Sequence, residues 1–299
     1  GPDAVILAAP TPTRYSLARM CLERGVAVLA ERPLAATSEG LAAFRHLTER
    51  NSGTYCSASY QMAAAPHVGR LRDRLSRGDL GKLKSARAVA LGSQMPVPTP
   101  GLWELDKSKS GGGCLMHFGA HALALLQAAV PDAAVPPAKV TGMLSSSFLP
   151  DIEDTVEASL EFPQGLRVEL LCTWSLTDRH ESFVEVHLEL EGGRVRLGPS
   201  QWELRTASGS VEQDSDAPDL GGAPGAPELG MSGQRVLHRA LARAALTTPG
   251  DGAVPRPSEA LRLAMVTEET LHRIYRGCTF NSDSKAPDRV AHRAAEASP

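Results

Sequence analysis

The chain has 299 residues, 31 Lys and Arg against 34 Asp and Glu, and a net charge of −3, so no excess of basic residues argues for nucleic acid or a membrane surface as a partner. Its length suits two ordinary cores better than one, and no apolar run reaches the ~18 residues of a membrane span. A small-molecule partner is the default at this charge, and the cysteines, Cys21, Cys56, Cys114, Cys172 and Cys278, odd in number and without CxxC spacing, predict reduced thiols and a cytoplasmic setting.

The first elements alternate short apolar strands with amphipathic helices. Residues 4–9 read as a strand buried on both faces, and Pro10, Thr11 and Pro12 turn the chain into a helix carrying Leu17, Met20 and Cys21 that stops at Gly25. Residues 26–30 form the next buried strand. Thr37 or Ser38 caps a helix with Leu41, Phe44 and Leu47, a short strand follows at 54–57, and Pro66 opens a further helix to Arg77. Two such βαβ steps make part of a Rossmann-like parallel sheet over residues 1–80, with a ligand crevice at the carboxyl ends of the strands.

The pattern changes after Gly81. Strands are predicted at 84–91, 139–148, 155–162, 167–174, 183–190 and 194–197, several alternating apolar and polar residues, with one helix at 113–130. Residues 81–280 therefore read as an α+β domain, an open and mostly antiparallel sheet with helices on one face. Residues 207–230, rich in Gly, Pro, Ser and Asp, read as a long loop or disordered insertion. Helices are expected at 232–246 and 258–275, and a disordered tail at 281–299.

Three segments carry chemistry. Pro10, Thr11 and Pro12 end the first strand; Glu31, Arg32 and Pro33 end the second; and Gly111, Gly112 and Gly113 open a helix bearing His117 and His121. The two histidines lie four apart on one helix face. Such a pair can bind zinc, but Phe118 stands where a metalloprotease glutamate would be and spacing suggests no third ligand, so no metal site is expected. As turns, the first two segments also have a plain structural reading as connectors, and the histidines one as a packed polar pair.

In this order and spacing, the segments resemble the Gfo/Idh/MocA family. Supporting matches lie at Ser59, Tyr60 and Gln61, at 78–82, at 154–156 and at 191–195. The resemblance implies an NAD(P)-dependent oxidoreductase that moves a hydride to or from a hydroxyl or keto carbon of a sugar, a cyclitol or a related compound. It implies a homo-oligomer, dimer or tetramer, formed through the open sheet. It places NAD or NADP against Ala9, Pro10, Thr11, Pro12, Arg14, Glu31 and Arg32, and substrate near Tyr60, Trp103, His117 and His121, with specificity also expected from Trp174 and His180. Catalysis would fall to His121, Arg32 and His117.

Departures from the family pattern are specific. Arg14 stands where a histidine commonly follows the turn, Arg32 where a catalytic lysine is usual, and His117 where an aspartate is usual. Arginine holds a positive charge and donates hydrogen bonds but does not shuttle protons near neutrality, which leaves His121 as the expected acid/base, working near neutral pH. The glycine fingerprint of a dinucleotide site is not present in these residues, so a preceding segment is the expectation. A non-catalytic relative binding a sugar or nucleotide, or an inactive fragment, is the alternative.

Overall fold

The computed structural model describes residues 1–93, 95–97, 99, 101–176, 182–216, 231–246, 258–283 and 285–296. Three short strands, β1 (Ala4–Leu7), β2 (Ala27–Ala30) and β3 (Cys56–Ala58), form a parallel sheet in that spatial order. β2 is central and wholly buried, whereas β1 is an edge strand, and Ile6, expected inside, is 50% exposed.

The crossovers are α1 (Thr11–Leu22) and α2 (Ser38–Arg50). α1 has no side-chain cap and begins with proline in its first turn, where the missing N–H leaves no donor unpaired. Of the two candidate caps for α2 it is Thr37 whose side chain accepts from the Gly40 N–H, at 3.1 Å. Its stripe of Leu41, Phe44 and Leu47 is buried. α3 (Pro66–Arg77) ends on Gly78 in the left-handed conformation, φ 76°.

The second sheet has nine strands: β4 (Leu83–Leu91), β5 (Lys139–Ser146), β6 (Thr155–Glu161), β7 (Arg167–Thr173), β8 (Phe183–Leu190), β9 (Gly193–Leu197), β10 (Gln201–Thr206), β11 (Val211–Ser215) and β12 (Cys278–Ser282). Their order is β11-β10-β9-β8-β4-β7-β6-β5-β12, antiparallel except at β4·β7 and β5·β12. Alternate residues of β4 and β7 divide between two cores. Ala86, Ala88, Ala90, Val168, Leu170 and Cys172 belong to the main interior, while Val89, Leu91 and Leu171 pack with Val290 and Ala294 on the opposite face.

After the one-turn α4 (Lys107–Ser110), the helix opened by the glycines starts as a π-helical turn, Leu115–Gly119, and continues as α5 (Ala120–Ala129). α5 is apolar and buried nearly all round, as a helix packed between layers must be. α6 (Met231–Leu246) and α7 (Glu259–Gly277) come late in the chain yet cover the first sheet: Leu237 and Leu241 of α6 pack on Ala27, Leu29 and Tyr55.

Two expectations change. The tail is not disordered over its described part: β12 ends at Ser282 and α8 (Ala286–Glu296) lies on the outer sheet face. Its Val290 and Ala294 form a narrow apolar stripe, and Arg289 and Arg293 pair with Glu157. The region 207–230 is not all loop, because β11 pairs with β10, whose alternating Trp202 and Leu204 are buried. Residues 217–230 lie outside the described residues, as does His180.

Candidate active site

The loops after β1 and β2 lie side by side because the strands are parallel neighbours; the Glu31 N–H donates to Leu7 O at 3.0 Å. Arg14, on α1, braces them. Its Nη2 donates to Ala9 O at 2.6 Å, and its Nη1 donates to Thr11 Oγ1 at 3.2 Å and to Pro33 O. The side chain is 2% exposed, so it holds the crevice wall from behind instead of lining it. Thr11 is likewise buried.

The Arg32–Pro33 peptide is cis. Beyond it, the carboxylate of Glu268 on α7 accepts hydrogen bonds from the N–H groups of Leu34 (2.6 Å) and Ala35 (3.3 Å) and from the Tyr60 hydroxyl (3.2 Å). Burial raises the Glu268 pKa to about 7 despite these donors. Tyr60 is therefore turned into the interior, and its own pKa is raised well above 10 by burial and by Glu268.

Arg32 reaches across to the glycine-opened helix. Its Nη1 donates to Met116 O at 3.2 Å, and its Nη2 donates to His121 Nε2 at 2.5 Å. Because the guanidinium has only donors, Nε2 is the lone-pair nitrogen of His121 and the ring hydrogen sits on Nδ1. That Nδ1 is buried and unpartnered among the described residues, as is Nε2 of His117. His117 stacks on Trp174, centroids 5.9 Å apart, and meets the edge of Trp103 at 6.1 Å.

Burial, Arg32 and Arg14 lower the His117 pKa to about 4; burial and Arg32 lower that of His121 well below 6.5. Both imidazoles are neutral at pH 7. The expectation of a His121 poised near neutrality is corrected by its position beneath a guanidinium in a dry site.

The three glycines serve packing within the protein. A Cβ on Gly111 would lie 2.7 Å from Ala36 O, on Gly112 1.8 Å from the Tyr275 hydroxyl, and on Gly113 2.0 Å from Glu153 O. The helix start is not a free anion site either, since Glu153 Oε1 accepts from the N–H groups of Gly113 (2.8 Å) and Leu115 (3.2 Å) and from the Tyr275 hydroxyl (2.6 Å).

Arg32, His117 and His121 thus converge on one cavity of about 300 Å³, with Gln61, Trp174 and Ser182 in its wall. Trp103 contributes only through His117, and Tyr60 lies outside. Glu268 and Glu153 escaped the sequence argument. A signal for the first exists: Glu268 falls in register with Leu261, Ala264, Met265 and Leu271 on the buried stripe of α7. Among the described residues no group of three or more His, Cys, Asp or Glu is placed to hold a metal ion.

Comparison with known proteins identifies the family. A family model described as the oxidoreductase family with an NAD-binding Rossmann fold matches residues 1–59, and one described as the GFO/IDH/MocA C-terminal domain matches residues 68–193. The chain belongs to the Gfo/Idh/MocA family. Among curated members, D-xylose 1-dehydrogenase [NADP(+)] of Haloarcula marismortui is 29% identical over 216 residues, covering 70% of this chain and 58% of the relative. A putative UDP-kanosamine synthase oxidoreductase subunit of Amycolatopsis mediterranei is 27% identical over 215 residues, covering 65% and 57%. The chain thus spans less than two thirds of the length of these Gfo/Idh/MocA relatives. An inositol dehydrogenase homologue from Azotobacter vinelandii, solved with NAD+, shares the fold at TM-score 0.75 and 19% identity, over 92% of this chain and 77% of that one.

The fit of a nicotinamide cofactor to the residues present is local. Ala9, Pro10, Pro12 and Glu31 sit at the carboxyl ends of β1 and β2, where a parallel sheet receives its ligand, and the Arg14 brace makes that wall rigid. They would suit the nicotinamide end of a bound cofactor, and Nε2 of His117 and Nδ1 of His121 nearby are buried and unpartnered among the described residues.

Proposed function

We propose that the protein is an NAD(P)-dependent oxidoreductase acting on a hydroxyl or keto carbon of a sugar, a cyclitol or a related compound. The observation that carries it is the Arg32–His121 contact facing the cavity at the carboxyl end of β2. NAD or NADP, held against Ala9, Pro10, Pro12 and Glu31, supplies the hydride acceptor or donor.

His121 is the acid/base. In the oxidising direction, a substrate hydroxyl that takes the place of Arg32 on Nε2 gives its proton to an unprotonated imidazole, and in the reducing direction that proton returns to the new alkoxide. Arg32, released from Nε2, stays beside the oxygen and stabilises its developing negative charge. His117, neutral and stacked on Trp174, lines the cavity and positions the substrate. The curated relatives named as dehydrogenases of xylose and of glucosides support this reading.

The free thiols support a reducing, cytoplasmic setting, and no described helix is long and apolar enough to cross a membrane. A homo-oligomer, dimer or tetramer, would form on the outer sheet face beside α8. The test is nicotinamide absorbance of the full-length protein with NAD+ or NADP+ and a panel of sugars, sugar acids and cyclitols. Cofactor reduction by at least one of them, slowed by about 10² or more in His121→Ala, is the expected result; sugar binding with no turnover across the panel would replace the enzyme reading with that of a binding protein.

A further inference from the structure

Among the described residues the wall of the cavity is rich in hydrogen-bond donors and holds no carboxylate. Arg32 spends one N–H on Met116 O and one on His121, which leaves Nε–H and one N–H on each terminal nitrogen without an acceptor among the described residues. It forms no ion pair among them. Glu31 and Glu268 act on it only through their charge at longer range, and the Glu268 carboxylate is already held by Leu34, Ala35 and Tyr60.

Two further donors, the Nδ1–H of His121 and the indole N–H of Trp174, are buried and without a partner among the described residues. Gln61 and Ser182 both donate and accept, and the remaining described lining residues, apart from His117, are apolar. A partly buried guanidinium without an ion-pair partner among the described residues is unfavourable, and desolvation lowers its pKa. The planar fork of arginine matches a carboxylate bidentately, a match that a neutral hydroxyl does not offer.

We propose that the ligand of this cavity is a polyhydroxylated carboxylate, a sugar acid, whose carboxylate pairs with Arg32 while its hydroxyls meet His117 and His121. The inference deepens the oxidoreductase reading and rests on it for taking this cavity as the substrate site. An acid also explains why arginine serves here: the residue that steadies the reacting oxygen holds the neighbouring carboxylate with its second N–H pair. The cavity volume of about 300 Å³ is at the small end for ligand sites and suits a single monosaccharide unit.

The experiment compares matched ligands that differ only in one terminal group: glucuronate against glucose, and gluconate against sorbitol. Binding to the full-length protein saturated with nicotinamide cofactor is measured by calorimetry, alongside turnover. At least one acid is expected to bind about tenfold or more tightly than its neutral partner. Arg32→Gln should erase that preference; Arg32→Lys, which keeps the charge without the fork and is the second variant should the first fail to fold, should retain part of it. Equal or tighter binding of both neutral partners, or a preference that survives in Arg32→Gln, overturns the inference. Turnover of neutral sugars at the expense of acids overturns it while sustaining the oxidoreductase reading. Selective binding of an acid without turnover of any ligand supports it and removes the oxidoreductase reading instead.

Discussion

Glu268 on α7 and Leu34 in the loop after β2 are joined by a 2.6 Å hydrogen bond that spans 234 positions of the chain. The bond fixes the backbone two residues beyond Arg32, and the same carboxylate holds the Ala35 N–H and the Tyr60 hydroxyl. Glu268→Ala would leave three buried donors unpaired. A loss of about 3 kcal/mol is expected from urea denaturation.

Glu268 also gives stability a pH dependence of known sign. Its folded pKa, about 7, stands above the ordinary 4.5 because burial disfavours the charged form. Its contribution is therefore full below pH 4.5 and is lost as pH rises to about 7. The stability of the wild type relative to Glu268→Gln should fall across that window and level off above it; a rise across the same window would contradict the burial of the carboxyl.

His117 acts in the opposite sense. Its folded pKa, about 4, lies below the ordinary 6.5, so its contribution is present above pH 6.5 and is lost as pH falls towards about 4. His117→Phe keeps an aromatic ring against Trp174 and should flatten the acid limb of the thermal-melt profile. An unchanged acid limb would mean that the imidazole is not desolvated.

In turnover, His121→Ala should cost a factor of about 10² to 10⁴ with the fold retained. Because its pKa lies well below 6.5, kcat/KM for alcohol oxidation should show no loss as pH falls from neutrality through 6.5. A decline centred on 6.5 would show a solvated imidazole.

Glycine substitutions separate close packing from simple connection. Gly113→Ala sets a Cβ 2.0 Å from Glu153 O and is expected to destabilise by about 3 kcal/mol or more. Gly69→Ala, in the interior of α3 with nothing within 4 Å, should stabilise by up to about 1 kcal/mol. Equal midpoints for the two in chemical denaturation would refute the packing role of the glycine segment.

Much of this was legible in the chain. The βα alternation before residue 60 and the alternating strands after Gly81 follow from local periodicity, and of the residues singled out in the sequence Arg32, His117 and His121 meet at one cavity. Other features depend on distant partners. Arg14 resembled a crevice residue because it follows the turn, but its length lets it reach back to two carbonyls that only the folded loops bring together. The π-helical turn beneath His117 leaves no mark in composition. α8 was missed because Val290 and Ala294 make so thin a stripe that its helix is held equally by ion pairs to Glu157, on a strand more than 120 residues earlier.

The position of α6 has a consequence for synthesis. One face of the parallel sheet is sealed by Leu237 and Leu241, and the Arg32 loop is tied down by Glu268, so a ribosome making this chain releases β1 to β3 long before their cover exists. The nascent first sheet thus leaves Leu29 and Tyr55 bare until α6, far later in the chain, has emerged to cover them.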